Sequence, residues 1–402
     1  MVALRRPSPL IFIFLTVFID LMGGSLLIPV LPFLVERFRS DALTIGWLTA
    51  SFSIAQFLAA PVLGSLSDRY GRRPVLLICV LGTALGYFVF GWAKSLWVLF
   101  LARIIDGITG GVISTAQAYI ADISTPEERT KNFGLIGAAF GLGFILGPTI
   151  GGVLARIDLN LPVFFAGGIS LVNLVLGYFT LNESLPPERR RPISAVDFNP
   201  LRSLANLLDQ KSLQGILIGF FLYNFAFAGF TGIFTLAIRD RFGWGPDLAA
   251  WLFAFIGIIS TIVQGGLIRK LVPAFGETRL AISGLALIAL AYGLVCVIPS
   301  GPWLYLTQGI LAVGIGLTAP SLRGVLSNRT SPENQGRVLG GAQALASLGQ
   351  VVGPLWAGWS YDYLGRLVPF WVGAIWQLAA IALVVIGLRV KPETIGENKS
   401  RF

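Results

Sequence analysis

The chain has 402 residues, of which 55% are hydrophobic and only 12% charged, with a net charge of +10 and a mean hydropathy of +0.77. One soluble globule cannot cover that much apolar surface, so the composition excludes a water-soluble domain and points to an integral membrane protein. Histidine is absent and no P-loop occurs, so no enzyme built on Ser-His or Cys-His chemistry, no metal site or other cofactor, and no direct ATP coupling is expected.

An apolar helix of about 20 residues crosses the hydrocarbon, where unpaired backbone groups find no partner. Twelve such spans are predicted, the first six being Leu10–Leu34, Leu43–Leu66, Pro74–Trp92, Leu96–Ile120, Phe133–Ile157 and Pro162–Leu181. The remaining six are Leu213–Ile238, Leu248–Val272, Leu280–Ile298, Trp303–Leu326, Val338–Tyr361 and Val368–Leu388. Span 1 follows Arg5-Arg6 but is too long for a cleaved leader and lacks a small-residue cleavage site, so it is read as a membrane helix. Between spans 6 and 7 the run Pro186-Pro187-Glu188-Arg189-Arg190-Arg191-Pro192 cannot continue a helix or enter lipid. The expected organisation is a six-helix bundle over 1–181, a cytoplasmic linker over 182–212, and a second six-helix bundle with a short tail over 213–402.

Lys and Arg accumulate in short cytoplasmic loops. With the N-terminus inside, Arg37, Arg39, Lys94, Arg156, Arg239, Arg241 and Arg366 fall at the outer side, Arg103 deep in a span, and the other 22 of the 30 at the cytoplasmic side. Both termini are therefore expected in the cytoplasm. Basic residues spread over membrane loops suit anionic lipid headgroups and not nucleic acid. Cys79 and Cys296 lie in apolar spans and read as packing residues.

The turn between spans 2 and 3 reads Gly64-Ser65-Leu66-Ser67-Asp68-Arg69-Tyr70-Gly71-Arg72-Arg73-Pro74. This spacing of glycine, aspartate and arginines after a second apolar span resembles the loop signature of the major facilitator superfamily. The resemblance implies an all-α membrane protein of twelve helices in two pseudo-symmetric six-helix bundles. Asp68 can face the positive N-terminus of span 11, while Arg69, Arg72 and Arg73 can find carboxylates such as Asp122 at the end of span 4. The cluster then acts as a gating latch between two states of one molecule. The second half keeps only Gly265, Arg269-Lys270 and Gly276-Glu277, without an acid at the aspartate position.

Asp20 in span 1 and Asp106 in span 4 are the acids deep in predicted spans. Leu101-Ala102-Arg103-Ile104-Ile105-Asp106-Gly107 resembles the superfamily's second motif, an intramembrane arginine followed by a glycine. A charge at this depth costs at least about 2.5 kcal/mol on insertion scales. Arg103 and Asp106, three apart on one helix face, can compensate each other. Asp20 has no such partner, which makes it the better proton carrier of the coupling set Asp20, Arg103 and Asp106.

Gly134, Gly143, Gly147-Pro148 and Gly151-Gly152 of span 5 recur in register in span 11 as Gly340, Gly349, Gly353-Pro354 and Gly358, with Ala357 in place of Gly151. The polar turns before them, Pro126-Glu127 and Pro332-Glu333, are repeated too. Duplicated halves suggest alternating access, and the glycines permit close helix approach while the prolines bend the helices. The span 5 pattern resembles that of superfamily exporters that exchange substrate for protons. With Ile19-Asp20-Leu21, the Ser67–Pro74 turn, Arg103–Gly110 and Tyr119-Ile120-Ala121-Asp122, the first half resembles the tetracycline/proton antiporter branch. Those antiporters also use acids in helices 3 and 9, where this chain has Gly86 and no acid at all, which weighs against tetracycline–metal transport and leaves open whether tetracycline is carried.

Packing of spans 1, 4, 7 and 10 at the centre, as the resemblance implies, makes Asp20, Arg103, Asp106, Gln117, Tyr223, Asn224, Phe227 and Gln308 candidate cavity residues, with Gln56, Gln264 and Gln343 from spans 2, 8 and 11. Few charges among many aromatics suit an amphipathic or cationic organic molecule. The expected function is a proton-coupled exporter, monomeric, in a bacterial inner membrane. Proton-coupled import of a small nutrient is the alternative, and a non-transporting receptor or scaffold a more distant one.

Overall fold

A computed structural model describes residues 9–39, 41–190, 211–330 and 335–390. Twelve of its helices are long and apolar enough to cross a membrane. They are α1 (Pro9–Leu27), α2 (Ala42–Tyr70), α3 (Arg72–Gly91), α4 (Leu96–Ile123), α5 (Pro126–Ala155) and α6 (Leu161–Thr180), followed by α7 (Lys211–Phe242), α8 (Pro246–Phe275), α9 (Glu277–Val297), α10 (Trp303–Asn328), α11 (Gln335–Tyr363) and α12 (Val368–Arg389). The linker residues Arg191 and Pro192 and the turn Pro332-Glu333 lie outside the described residues. Of the linker's basic run, Pro187–Arg189 forms a single 3-10 turn.

Local chemistry sets where helices begin and break. Asp41 caps α2 by accepting from the Thr44 N–H at 3.0 Å, and Pro162, Pro246 and Pro369 stand in the first turns of α6, α8 and α12, where a missing N–H costs nothing. The predicted span 1 is too long at its far end. Pro29 and Pro32 stop α1 at Leu27, and the chain restarts as a short helix, Leu31–Glu36. Span 4 is not one helix but two, Leu96–Ile108 and Val112–Ile123. There Gly110 and Gly111 weaken the run, the Thr109 hydroxyl bonds back to the Ile105 carbonyl at 2.9 Å, and the Gln56 amide donates to the Gly110 carbonyl at 3.0 Å. In α8 the Gly265-Gly266 pair lies in a π turn over Val263–Leu267.

Within the first six helices α1 packs on α5 and α6, α3 on α4 and α6, and α2 on α4. Within the last six, α7 packs on α11 and α12, α9 on α10 and α12, and α8 on α10. The two sets meet chiefly where α5 lies on α8 and α11 on α2.

The repeated glycines explain this arrangement. A Cβ on Gly143 would approach Leu21 and Met22 of α1, one on Gly147 would strike Ser25 Oγ and the Met22 carbonyl, and one on Gly151 the Leu26 carbonyl. The Ser25 hydroxyl donates to the Gly143 carbonyl at 2.8 Å across this contact. In the second copy Gly349 and Gly353 lie as closely on Asn224, Phe225 and Gly229 of α7. The last glycine of each copy turns outward to the other half, Gly152 onto Ala250 and Pro246 of α8, and Gly358 onto Ala42 and Leu43 of α2.

These cross-half contacts, with Gly46 against the Pro354 carbonyl and Gly257 against Phe144 and Ile145, run from mid-bundle to the end where Asp41 caps α2. Toward the end bearing Asp68, the same four helices show Gly64, Gly134, Gly137, Gly265, Gly266 and Gly340 with no atom within 4 Å of a built Cβ. Among the described residues, the halves thus touch at the Asp41 end and part toward the Asp68 end.

Gly147→Ala and Gly353→Ala place a methyl on backbone atoms and are expected to cost about 1–3 kcal/mol each. Gly134→Ala and Gly340→Ala should be tolerated. Melting temperature and monodispersity of the detergent-purified variants measure the difference.

Candidate functional site

The first six helices carry the buried charges Arg103 and Asp106. Arg103 Nη1 lies 3.1 Å from Asp106 Oδ2, and the Arg103 guanidinium sits 4.2 Å from the centre of the Phe52 ring, so an ion pair and an aromatic face share the cost of burying it. Asp20, half-buried on α1, is close enough to Asp106 and Cys79 to interact electrostatically, yet no hydrogen bond or ion pair holds it among the described residues. Tyr87 is buried beside these acids with its hydroxyl against Gly23, one turn beyond Asp20. Gly86, where the resembled antiporters carry an acid, packs on Asp106 Cβ at 3.0 Å and on the Ala102 carbonyl at 3.2 Å, measured from a built Cβ. A side chain there requires α4 to move.

From the last six helices, Tyr223 is buried and stacked on Phe227, with ring centres 6.2 Å apart. Gln343 is exposed on α11 and receives Arg323 Nη2 of α10 at 3.5 Å. Gln117 is exposed on α4, and Gln264 is exposed in the π turn. Three candidates are engaged elsewhere: Gln56 holds the α4 break, Asn224 donates to the Phe220 carbonyl of its own helix at 2.7 Å, and Gln308 is fully buried and donates to Thr307 at 3.3 Å.

The charged turn is organised within the first six helices. Arg72 pairs with Asp68 one turn back, its Nε lies 3.0 Å from Asp122 Oδ2, and its Nη1 reaches Ser67 Oγ at 3.1 Å. Arg73 Nη2 donates to the Tyr178 carbonyl at 2.6 Å, and Arg69 is exposed over the Tyr70 ring. Gly71 takes φ +108, a conformation costly for side-chain-bearing residues, and its α8–α9 counterpart Gly276 takes φ +75. Glu183, just after α6, accepts from the Arg72 and Arg73 N–H groups at 2.8 and 3.1 Å and so caps the positive end of α3. Sequence reasoning missed it, because the cap comes from a residue remote in sequence.

It missed the opposite end as well. Asp362, at the end of α11, accepts from the N–H groups of Ala42 and Leu43 at 3.0 and 2.8 Å, capping α2 across the halves. Arg156 after α5 pairs with Asp247 at the start of α8 at 2.8 Å. Arg156 and Asp362 are the same position in the two copies of the repeat, so that signal was present. Arg239 of α7 reaches Glu36 at 2.6 Å, and the Thr235 hydroxyl donates to the Ile28 carbonyl at 3.3 Å, adding two further ties across the closed end.

Comparison with known proteins places this geometry. The family model for the Major Facilitator Superfamily matches residues 13–306 and 270–402. The tetracycline resistance protein, class C, of Escherichia coli is 35% identical over 95% of this chain and 96% of its own length. Multidrug resistance protein 2 of Bacillus subtilis is 29% identical over 96% of this chain and 98% of its own. The crystal structure of the human organic anion transporter MFSD10 (TETRAN) superposes with a TM-score of 0.73 at 28% identity, covering 94% of this chain and 99% of that one.

Removing the cap on α2 should loosen the closed end. Asp362→Ala is expected to shift the population toward opening at the Asp41 end by about tenfold, the scale of losing charge-assisted hydrogen bonds at a helix N-terminus. Spin labels at Ile157 and Leu364, exposed on loops of opposite halves, report it as a gain of the longer distance.

Proposed function

The chain belongs to the Major Facilitator Superfamily, and on that premise we propose that it exports amphipathic or cationic small organic molecules in exchange for protons. It is a multi-pass membrane transporter of small molecules with tetracycline- and multidrug-resistance relatives. The finer reading rests on Asp20, an acid without an ion-pair partner among the described residues, beside the neutralised Arg103–Asp106 pair. A carboxyl group there exchanges a proton with little else to disturb. Inward proton flow supplies about 2.3 kcal/mol per 100 mV and about 1.4 kcal/mol per pH unit to drive substrate outward.

In this reading both termini lie in the cytoplasm of a bacterium, the Asp41 end faces outward, and the structure is the state open to the cytoplasm. Parting of the halves leaves Asp68 bound to Arg72 of its own turn. Closure brings the Asp68 end against α11, and the cap of Asp362 on α2 breaks as the outer end opens. Both membrane-embedded acids, Asp20 and Asp106, belong to one chain, and in this reading the protein works as a monomer surrounded by lipid.

A pump-deficient bacterium expressing the chain should tolerate toxic amphiphiles that kill cells expressing Asp20→Asn, provided membrane levels match. Asp68→Asn should slow export about tenfold while inserting normally, since it removes one charge-assisted contact of the closed inner gate. Equal protection by the wild type and Asp20→Asn removes Asp20 from coupling, and accumulation of the compounds inside cells reverses the direction of transport.

A further inference from the structure

Arg323 is the charge at the opening that no part of the mechanism above uses. It lies on α10 about one turn before its end at Asn328 and is exposed, although α10 is an inner helix flanked by α8, α9 and α11. Its Nη2 is 3.5 Å from Gln343 Oε1 on α11, and the guanidinium is close enough to Tyr223 on α7 to act on it electrostatically. Residues of three helices are therefore near one another, and Tyr223 is stacked in turn on Phe227.

Among the described residues, Arg103 and Arg323 differ in one respect. Arg103 is neutralised by Asp106, whereas no carboxylate lies within ion-pair distance of Arg323. The repeat shows that this charge is not a packing requirement. The register that sets Gly134 against Gly340 sets Gln117 of α4 against Arg323, and Gly137, with no atom within 4 Å of a built Cβ, against Gln343. The same position is thus filled by a neutral side chain in one half and a cation in the other.

Building on the export reading, we infer that Arg323, with Gln343, is an anion subsite, and that the compounds carried have an ionised acid group as well as an apolar body. A guanidinium offers a fork of donors that matches the two oxygens of a carboxylate or the oxygens of a sulfonate. The Gln343 amide adds a donor beside it, and the aromatic pair receives the apolar part. Of the amphipathic molecules in the export reading, a zwitterion or an amphipathic acid therefore satisfies Arg323 better than a compound without an acid group.

The test is equilibrium binding of two fluorescent dyes to the detergent-purified full chain. Rhodamine 110 carries a free carboxylate, and rhodamine 123 is its methyl ester. The wild type is expected to prefer the acid about tenfold, the scale of a hydrogen-bonded charge pair. Arg323→Gln is expected to abolish that preference and Arg323→Lys to keep part of it. A wild type that does not prefer the acid, or a preference that survives Arg323→Gln, overturns the subsite; a purely structural role weakens both dyes alike and leaves the preference standing. Dye movement driven by a proton gradient in inside-out vesicles tests the export reading separately, because its absence contradicts export without touching the preference.

Discussion

The contact on which the rest depends is backbone on backbone: α5 against α1 through Gly143, Gly147 and Gly151, and α11 against α7 through Gly349 and Gly353. Lipid supplies no hydrophobic force between helices, so close approach and the Ser25 bond to the Gly143 carbonyl do the holding. Helices this close leave no room for side chains between them. In the export reading, what changes is the angle between the halves. The last glycine of each repeat, Gly152 or Gly358, faces across to the other half, and the first, Gly134 or Gly340, faces none in this state. One repeated stretch of sequence therefore holds each half together and meets the opposite half.

Charge is distributed to match. At the closed end polar ties cross the halves, from Asp362 to the start of α2, Arg156 to Asp247 and Arg239 to Glu36. At the open end Asp68, Arg72, Asp122 and Glu183 bind one another within the first six helices. Such contacts suit a switch. Each is modest because it is partly hydrated, so none alone commits the halves strongly to one arrangement. The deeper charges are handled otherwise, with Arg103 paired to Asp106 under an aromatic face and Asp20 left unpaired.

Much of this was legible beforehand, for physical reasons. Membrane spans announce themselves because lipid forbids polar runs, and twelve were predicted where twelve stand. The family was legible in the Gly64–Pro74 turn and the span 5 glycines, which carry fixed geometric duties. What escaped depends on contacts between distant residues or on local competition within a helix. The break of α4 arises from Gly110, Gly111, Thr109 and a distant Gln56, and periodicity is blind to it. Polarity alone marked Gln56, Asn224 and Gln308 for the cavity, yet each spends its amide on protein partners. Arg323, near a span end, counted only toward orientation, because sequence does not show which basic residue near a span end lacks a carboxylate partner.

The central claim is that the two copies of the glycine repeat are packed at the Asp41 end and free at the Asp68 end. Single cysteines placed at Gly134, Gly340, Ala42 and Ala250, in a chain lacking Cys79 and Cys296, measure this through their rates of alkylation by a water-soluble maleimide. Fast modification at 134 and 340 with slow modification at 42 and 250 is the predicted result. The reverse order, or equal rates at all four positions, contradicts the account.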